Sequence, residues 1–210
     1  MCVADIATVA GHIIHDFPQY YHYDSERTFT YDNIKQYNRN ALVQKGLADG
    51  LKTGHTDAGG FGVVASAQRG NRRVIVVVNG CDTSRARAEE SEKLLEWAFN
   101  QFEDVRLFTA ADTVEQAPVW LGTRPTVPLV AGREVLLTVP HGWQKSAKVT
   151  VDYNAPIAAP VRSGTVLGQL KIGGQGVPDM SVPLLAGADV PRLSLPGRAM
   201  ALLSHYVLGS

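Results

Sequence analysis

A Lys-Thr-Gly triplet followed by a glycine-rich turn constrains this chain more than any other feature. The triplet occupies residues 52–54, inside the run Asp-Gly-Leu-Lys-Thr-Gly-His-Thr-Asp-Ala-Gly-Gly of residues 49–60. The next seven residues, Phe-Gly-Val-Val-Ala-Ser-Ala, have the composition of a second strand. Lysine supplies a positive charge, threonine a hydroxyl for a carboxylate, and glycine leaves the strand edge bare for a substrate backbone. The stretch therefore predicts a strand edge suited to a substrate carboxylate.

Helix and strand patterns alternate before residue 103. Apolar residues recur at helical spacing over residues 3–16 and 85–102, and Asp82, Thr83 and Ser84 offer caps for the second helix. Shorter runs predict strands at residues 28–31, 50–56, 61–68 and 73–78. The last of these contains Val-Ile-Val-Val-Val, which predicts a strand buried on both faces.

Beyond residue 104 the helical patterns fade, and proline and glycine separate short alternating runs. These runs, at a spacing typical of a small β-sandwich, are residues 119–121, 134–139, 148–153, 166–172 and 180–185. A domain boundary is therefore expected near residue 105.

The tail has the pattern of a short amphipathic helix that Pro196 could open. Met200, Leu203 and Val207 would share one apolar face, with Arg198 as the one strong base. Contact with a membrane surface stays open for this tail, and so does simple packing or fraying.

Charge and cysteine content exclude several functions. Twenty basic residues balance twenty acidic ones, so nucleic acid is not an expected partner. Cys2 and Cys81 form no disulfide framework; two free, buried thiols are expected, and a pairing between them stays open. His12 and His15 are expected to be solvated, and neither a metal nor a cofactor is predicted. No run has the apolar length of a membrane span or the pattern of a leader peptide, which taken alone indicates a cytoplasmic protein.

The run around the triplet resembles the low-molecular-mass penicillin-binding proteins that are serine-type D-alanyl-D-alanine carboxypeptidases of the peptidase S11 family. Its flanks match too, Tyr-Asn-Arg-Asn-Ala-Leu at residues 37–42 and Arg-Ala-Glu-Glu-Ser at residues 87–91. The resemblance implies an α+β fold. Residues 1–104 would be the C-terminal portion of a penicillin-binding-protein/β-lactamase-like catalytic domain (antiparallel sheet with helices). Residues 105–194 would be a small all-β sandwich, and residues 195–210 a tail.

Two motifs of that family do not occur in these 210 residues. In the family, the serine of a Ser-x-x-Lys motif is the nucleophile, and a Ser-x-Asn motif follows it. No serine here has lysine three places later or asparagine two places later. We therefore expect the chain to be the C-terminal part of such an enzyme and to be inactive alone.

By the same resemblance, the residues present form one wall of the active site. Lys52 would bind substrate and stabilise charge and proton transfer, and the backbone N–H of His55 would complete an oxyanion hole. Thr53 and Arg87 would hold the terminal carboxylate of the substrate. The backbone of the substrate would lie along Gly54.

Simpler interpretations stand beside these roles. Lys52 could be a solvated lysine that protects an edge strand, and Arg87 could pair with Glu90 or Ser91 on its own helix. Asp57 is expected to fix the turn after the triplet through its own backbone.

The resemblance also implies a reaction and a location. The family removes the terminal D-alanine of peptidoglycan stem peptides through an acyl-enzyme, on the periplasmic side of the bacterial cytoplasmic membrane, and its intact members bind β-lactams. The alternative is a non-catalytic relative that binds the cell wall or a partner. In either case the family's five-stranded sheet would have two strands outside this chain. An open edge and self-association are therefore expected at the strand of residues 74–78.

Overall fold

The computed structural model describes residues 2–208, without the side chains of residues 204, 205, 207 and 208. The chain divides into two compact units, the first extending to Phe102 and the second beginning at Glu103. The first unit mixes helices and strands, and the second is mostly strand.

The described part of the first unit, from residue 2 onwards, has four helices and five strands. Its helices 3–16 and 84–101 and its strand 50–56 lie within one residue of the predicted bounds. A strand at residues 34–37 was not predicted. The elements are α1 (Val3–Asp16), α2 (Pro18–Tyr21), a 3₁₀ turn (His22–Ser25), β1 (Thr28–Tyr31), β2 (Ile34–Tyr37), α3 (Ala41–Lys45), β3 (Gly50–Thr56), β4 (Gly60–Arg69), β5 (Arg72–Cys81) and α4 (Ser84–Gln101).

β3, β4 and β5 form an antiparallel sheet with β4 in the middle. On one face, Ala65 and Val76 pack with Leu95 of α4. On the other face, Ile75 packs in a cluster with Ala10 of α1. The alternation of Ile75 and Val76 between the two clusters follows the two-residue period of a strand. The strand was predicted to be buried on both faces; side chains do pack on both, but within residues 74–78 only Val76 is buried and the other four stay partly exposed.

Local side chains and one glycine set the positions of these elements. The Thr83 hydroxyl accepts a hydrogen bond from the N–H of Ala86 at 3.0 Å, so Thr83 is the cap of α4 among the three candidates. Gly60, which opens β4, has φ +64°, and a Cβ there would lie 2.8 Å from the carbonyl oxygen of Cys81. Only glycine fits this turn without displacing the backbone of β5.

The second unit is a sandwich of two sheets. One sheet has the strand order β10-β12-β13-β8-β7-β11, and β6 and β9 form the other. Strands 102–108, 126–131 and 157–158 were not predicted. The elements are β6 (Phe102–Phe108), β7 (Thr113–Trp120), β8 (Thr126–Ala131), β9 (Val135–Pro140), a 3₁₀ turn (Trp143–Lys145), β10 (Lys148–Tyr153), β11 (Ile157–Ala158), β12 (Val166–Gly174), β13 (Val177–Ala186) and α5 (Leu195–Leu208).

Alternate residues of each sheet fill one core between them. Val135, Leu137 and Val139 of β9 pack with Leu129 of β8 and Leu170 of β12, and all five are less than a tenth exposed. This inward alternation is the arrangement that face-to-face sheets require.

The tail and the cysteines differ from the simplest expectations. In α5, Met200 and Leu203 are 75% and 68% exposed, so these two side chains do not pack on the described residues. The side chain of Val207, which shares their predicted face, and residues 209–210 lie outside the described part of the chain.

Both cysteines are free, but Cys2 is exposed, so the expectation of two buried thiols is wrong. Among residues 2–208, no helix combines the length and apolar character that a membrane crossing requires.

Candidate functional site

The Lys-Thr-Gly triplet lies in the middle of β3, at one edge of the three-stranded sheet. β3 pairs with β4 through Lys52↔Val64, Thr53↔Val63 and Gly54↔Gly62. No strand among residues 2–208 pairs with its other edge. Backbone groups on an open edge can hydrogen-bond an extended peptide that lies alongside them, so β3 can accept a substrate backbone.

A cavity of about 370 Å³ opens beside the triplet. Residues 52–54 of β3, 62–64 of β4 and 77–79 of β5 line it, together with Ile6 of α1. Its wall is mostly apolar, and the polar groups come from the triplet and Asn79. A few polar groups in an apolar cleft are typical of a ligand site.

Lys52 and Thr53 have different environments. The Lys52 side chain is exposed, and its Nζ donates to the carbonyl oxygen of Thr53 at 2.5 Å. This bond folds the ammonium group back onto the triplet without neutralising its charge. Thr53 is 8% exposed. The charge therefore remains available at the cavity, next to a threonine held in a fixed position.

Arg87 approaches the triplet from α4 and is 9% exposed. Its guanidinium donates to the carbonyl oxygens of Arg39, Gly54 and Gly62 at 3.3, 3.4 and 3.5 Å. It also lies 5.7 Å from the centre of the Phe61 ring. Burial lowers the pKa of Arg87 below its ordinary value. Because these long bonds use neutral carbonyls, the guanidinium keeps its charge beneath the strand edge.

The alternative partners of Arg87 on its own helix are excluded. Glu90 pairs with Lys93 at 2.8 Å. The Ser91 hydroxyl donates to the backbone carbonyl of Arg87 at 2.7 Å, within the helix, and does not bond its guanidinium. The interpretation that Arg87 pairs with Glu90 or Ser91 is therefore wrong.

His55 projects from the strand into solvent. Its ring lies against Phe61 of β4, with the ring centres 4.0 Å apart and the planes inclined by 33°. The side chain thus has a packing role, which leaves only the backbone N–H for the predicted oxyanion hole.

The turn after β3 is fixed by a residue other than the predicted one. The hydroxyl of Thr56 accepts a hydrogen bond from the N–H of Gly59 at 2.9 Å. Sequence reasoning assigned this role to Asp57. Both side chains suit such turns, and nothing in the local sequence distinguishes Thr56 from Asp57.

Two hydrogen-bond networks, one around Asn40 and one around Asp49, hold the start of β3. Asn40 is 1% exposed, donates to the carbonyl oxygen of Gly50 at 2.9 Å and accepts from the N–H of Leu42 at 3.1 Å. Asn38 in turn accepts from the N–H of Asn40 at 2.9 Å. These asparagines therefore position the strand and do not line the cavity.

The second network was not predicted. Asp49, the residue before β3, lies 2.8 Å from Arg73 of β5 and accepts from the hydroxyl of Tyr21 at 2.5 Å. Burial and the bond to Asp49 raise the pKa of Tyr21. Arg73 also donates to Ser66 at 2.8 Å. These partners are far apart in sequence, and no local pattern connects them.

The serines near the triplet are committed to the fold. Ser66 is fully buried and accepts the bond from Arg73, and Ser91 is fully buried within α4. Neither is presented to the cavity beside Lys52. The arrangement can bind an anion and an extended backbone, but these two serines do not supply an exposed nucleophile.

Two known family models match the chain. Residues 1–83 match the family model described as D-alanyl-D-alanine carboxypeptidase, and residues 102–192 match the penicillin-binding protein 5 C-terminal domain.

Individual relatives cover the chain almost completely. D-alanyl-D-alanine carboxypeptidase DacA of Escherichia coli (strain K12) is 33% identical over 98% of this chain and 52% of its own length. DacC of the same strain is 36% identical over 92% of this chain and 49% of its own length. The chain therefore spans about half the length of the curated relatives it matches.

A solved structure matches in three dimensions. Penicillin binding protein 5 from Haemophilus influenzae has a TM-score of 0.77 and 36% identity, over 90% of this chain and 56% of that one. The α+β fold with a C-terminal β domain is thereby confirmed.

Proposed function

Because the chain belongs to the D-alanyl-D-alanine carboxypeptidase family and carries the penicillin-binding protein 5 C-terminal domain, we propose that it forms the substrate-binding wall of such an enzyme. The reaction is the removal of the terminal D-alanine from a peptidoglycan stem peptide by a serine-type, acyl-enzyme route. β-Lactams bind the complete site, which lies on the periplasmic side of the cytoplasmic membrane.

The open edge of β3 beside the Lys52 ammonium group supports this proposal. The substrate backbone lies antiparallel along Lys52–Gly54, and its terminal carboxylate is held by the Thr53 hydroxyl and the charges of Lys52 and Arg87. Arg87 contributes from beneath the edge, because its guanidinium bonds the carbonyl of Gly54 itself. The His55 N–H stabilises the oxyanion that develops at the attacked carbonyl.

The 210 residues by themselves are proposed to bind substrate without turning it over. They contain neither Ser-x-x-Lys nor Ser-x-Asn. Ser66 of β4 and Ser91 of α4 are fully buried. Covalent chemistry therefore needs a serine supplied with its own lysine base from outside these residues.

The missing motifs also support a second candidate, a non-catalytic relative that binds the cell wall through the cavity or the β domain. The two candidates agree on binding and differ on catalysis. Addition of the family's N-terminal half in trans distinguishes them, because only the first candidate predicts that turnover appears.

The binding claim is tested by NMR titration with a peptide ending in D-Ala-D-Ala and with the same peptide as its C-terminal amide. The acid should shift the amide signals of residues 52–55, and the C-terminal amide should bind at least about tenfold more weakly because it lacks the charge. Lys52→Met should weaken binding of the acid alone. Lys45→Met is the matched control, since Lys45 is exposed and pairs with Glu92 at 2.5 Å, away from the cavity. Equal binding of acid and C-terminal amide would contradict the proposal.

A further inference from the structure

A groove of about 400 Å³ lies over strands β10, β12 and β13 of the second unit. Leu170 and Ile172 of β12 point into the core of the sandwich, so Lys171 and Gly173 point to the outer face of the sheet. The residues that line the groove all lie within residues 102–192, the span of the penicillin-binding protein 5 C-terminal domain. The groove is therefore a different place from the cavity beside the Lys-Thr-Gly triplet, which belongs to the first unit.

Gly173 forms the floor of the groove. The pairing between β12 and β13 has a bulge here, in which residues 178–179 of β13 stand opposite Gly173 alone. A Cβ on Gly173 would overlap the carboxylate of Asp179, whose Cγ would lie 3.3 Å from it. Bulges re-aim side chains, and a glycine inside a strand often marks a place where a ligand approaches the backbone closely. The bulge thus turns the Asp179 carboxylate towards a stretch of bare backbone.

The polar side chains next to this floor are already bonded to one another. Lys171 lies 2.5 Å from the carboxylate of Asp152. The Ser181 hydroxyl donates to the side-chain oxygen of Gln169 at 2.8 Å. The charge of Lys171 is therefore balanced within the sheet, and the hydroxyl of Ser181 has its acceptor.

The row of residues through Gly173 differs, because its two charges are unpaired. Lys148 is the residue of β10 directly opposite Gly173, and Asp179 lies on the β13 side. Both are exposed and both line the groove. Within the described part of the chain, neither side chain has a hydrogen bond or an ion pair. An ammonium group and a carboxylate thus stand on the two sides of one open floor.

Two opposite charges at this separation suit a ligand that carries both. Lys148 and Asp179 are on strands separated by one other strand, so their backbones are about 10 Å apart. The ammonium and carboxylate of an α-amino acid, with a charge-assisted hydrogen bond of about 2.8 Å at each end, span about 8–9 Å. A simple anion would satisfy only Lys148, and a simple amine only Asp179.

We propose that this groove binds an amino-acid zwitterion, with its carboxylate on Lys148, its ammonium on Asp179 and its Cα over Gly173. Two sources carry this group. One is a free amino acid, and the other is a diamino-acid residue in a peptide, whose second ammonium and carboxylate stay free. The proposal does not depend on the proposed function, because none of the residues around the triplet takes part.

The ligand class is tested by NMR titration of the full chain with D-alanine, N-acetyl-D-alanine and D-alaninamide. D-Alanine should shift the amide signals of Lys148, Gly173 and Asp179, whereas signals of residues 52–55 report separately on the site in the first unit. Each analogue lacks one charge and should bind at least about tenfold more weakly. Equal binding of D-alanine and both analogues would overturn the proposal.

The source is tested by a second titration, with a peptide that contains meso-diaminopimelate joined through one of its two centres. Tighter binding of this peptide than of D-alanine would assign the site to a peptide, and the reverse order would assign it to a free amino acid. Absence of shifts at Lys148, Gly173 and Asp179 with both probes would overturn the proposal.

Two variants test the assigned roles. Lys148→Met and Asp179→Asn should each weaken binding of the preferred probe at least about tenfold and leave the thermal unfolding midpoint unchanged, because both side chains are exposed and unbonded. Lys145→Met is the matched control, since Lys145 is also exposed but does not line the groove. Unchanged binding in Lys148→Met or Asp179→Asn, or an equal loss in Lys145→Met, would overturn the proposal.

Discussion

Replacing Asn40 tests whether a single buried side chain positions the Lys-Thr-Gly strand. Asn40→Ala removes the cap of α3, worth about 1 kcal/mol. It also leaves the buried carbonyl of Gly50 without its 2.9 Å partner, which costs about 1–3 kcal/mol. The expected loss for the first unit is therefore about 2–4 kcal/mol. Asn40→Ser separates the two contributions, because serine caps the helix but is too short to reach Gly50, and it should lose only about 1–3 kcal/mol.

Hydrogen exchange followed by mass spectrometry measures this loss locally, which matters because two units need not unfold together. Peptides covering β3–β5 should exchange about thirtyfold to several-hundredfold faster in Asn40→Ala, and peptides of the second unit should be unchanged. An increase below about threefold in β3–β5 would refute the assignment, as would Asn40→Ser matching Asn40→Ala in full.

Three further predictions concern Tyr21, Thr83 and Leu170. Burial and the bond to Asp49 raise the pKa of Tyr21, so its contribution to stability is intact below the ordinary pKa of 10.0 and falls as the pH rises towards the raised value. Tyr21→Phe should therefore flatten the alkaline decline in thermal stability of the first unit, and an unchanged decline would contradict this. Thr83→Ala should lower the unfolding free energy of the first unit by about 1 kcal/mol in urea, and Thr83→Ser should restore it. Leu170→Ala should destabilise the second unit by about 2–5 kcal/mol and leave exchange in β3–β5 unaltered; equal effects on both units would show that they unfold together.

Patterns that act within a few residues were predictable. The helical period of residues 3–16 and the Thr83 cap each depend on neighbours one or two turns away, and the structure confirms both. The strand of residues 73–78 was predicted as buried on both faces because an unbroken β-branched run leaves no polar face for solvent. It packs on both faces, but only Val76 of the run is buried.

The missed elements have specific physical causes. β8 contains Pro128, which lowers strand propensity in any local pattern. β2 is short and exposed, and its hairpin depends on Asp32 and Asn33 at φ 48° and 60°, a turn that their residue types permit without requiring.

Contacts at the site between residues that are far apart in sequence could not be predicted from local sequence patterns. The three carbonyl partners of Arg87 come from β3, β4 and the loop before α3, and the Asp49–Arg73 pair joins two strands separated by β4. Only the tertiary fold brings these groups together. The family resemblance indicated that Arg87 belongs near the triplet, and the structure adds that it lies beneath the strand edge.

The most direct test of the central claim is labelling with a fluorescent penicillin, read on a denaturing gel. This chain alone should give no labelled band, because acylation needs a serine with a lysine base, which these 210 residues do not contain. Addition of the N-terminal half of a family member should restore the band, and Lys52→Met should weaken it. A stable band from this chain alone would contradict the account and point to a different nucleophile.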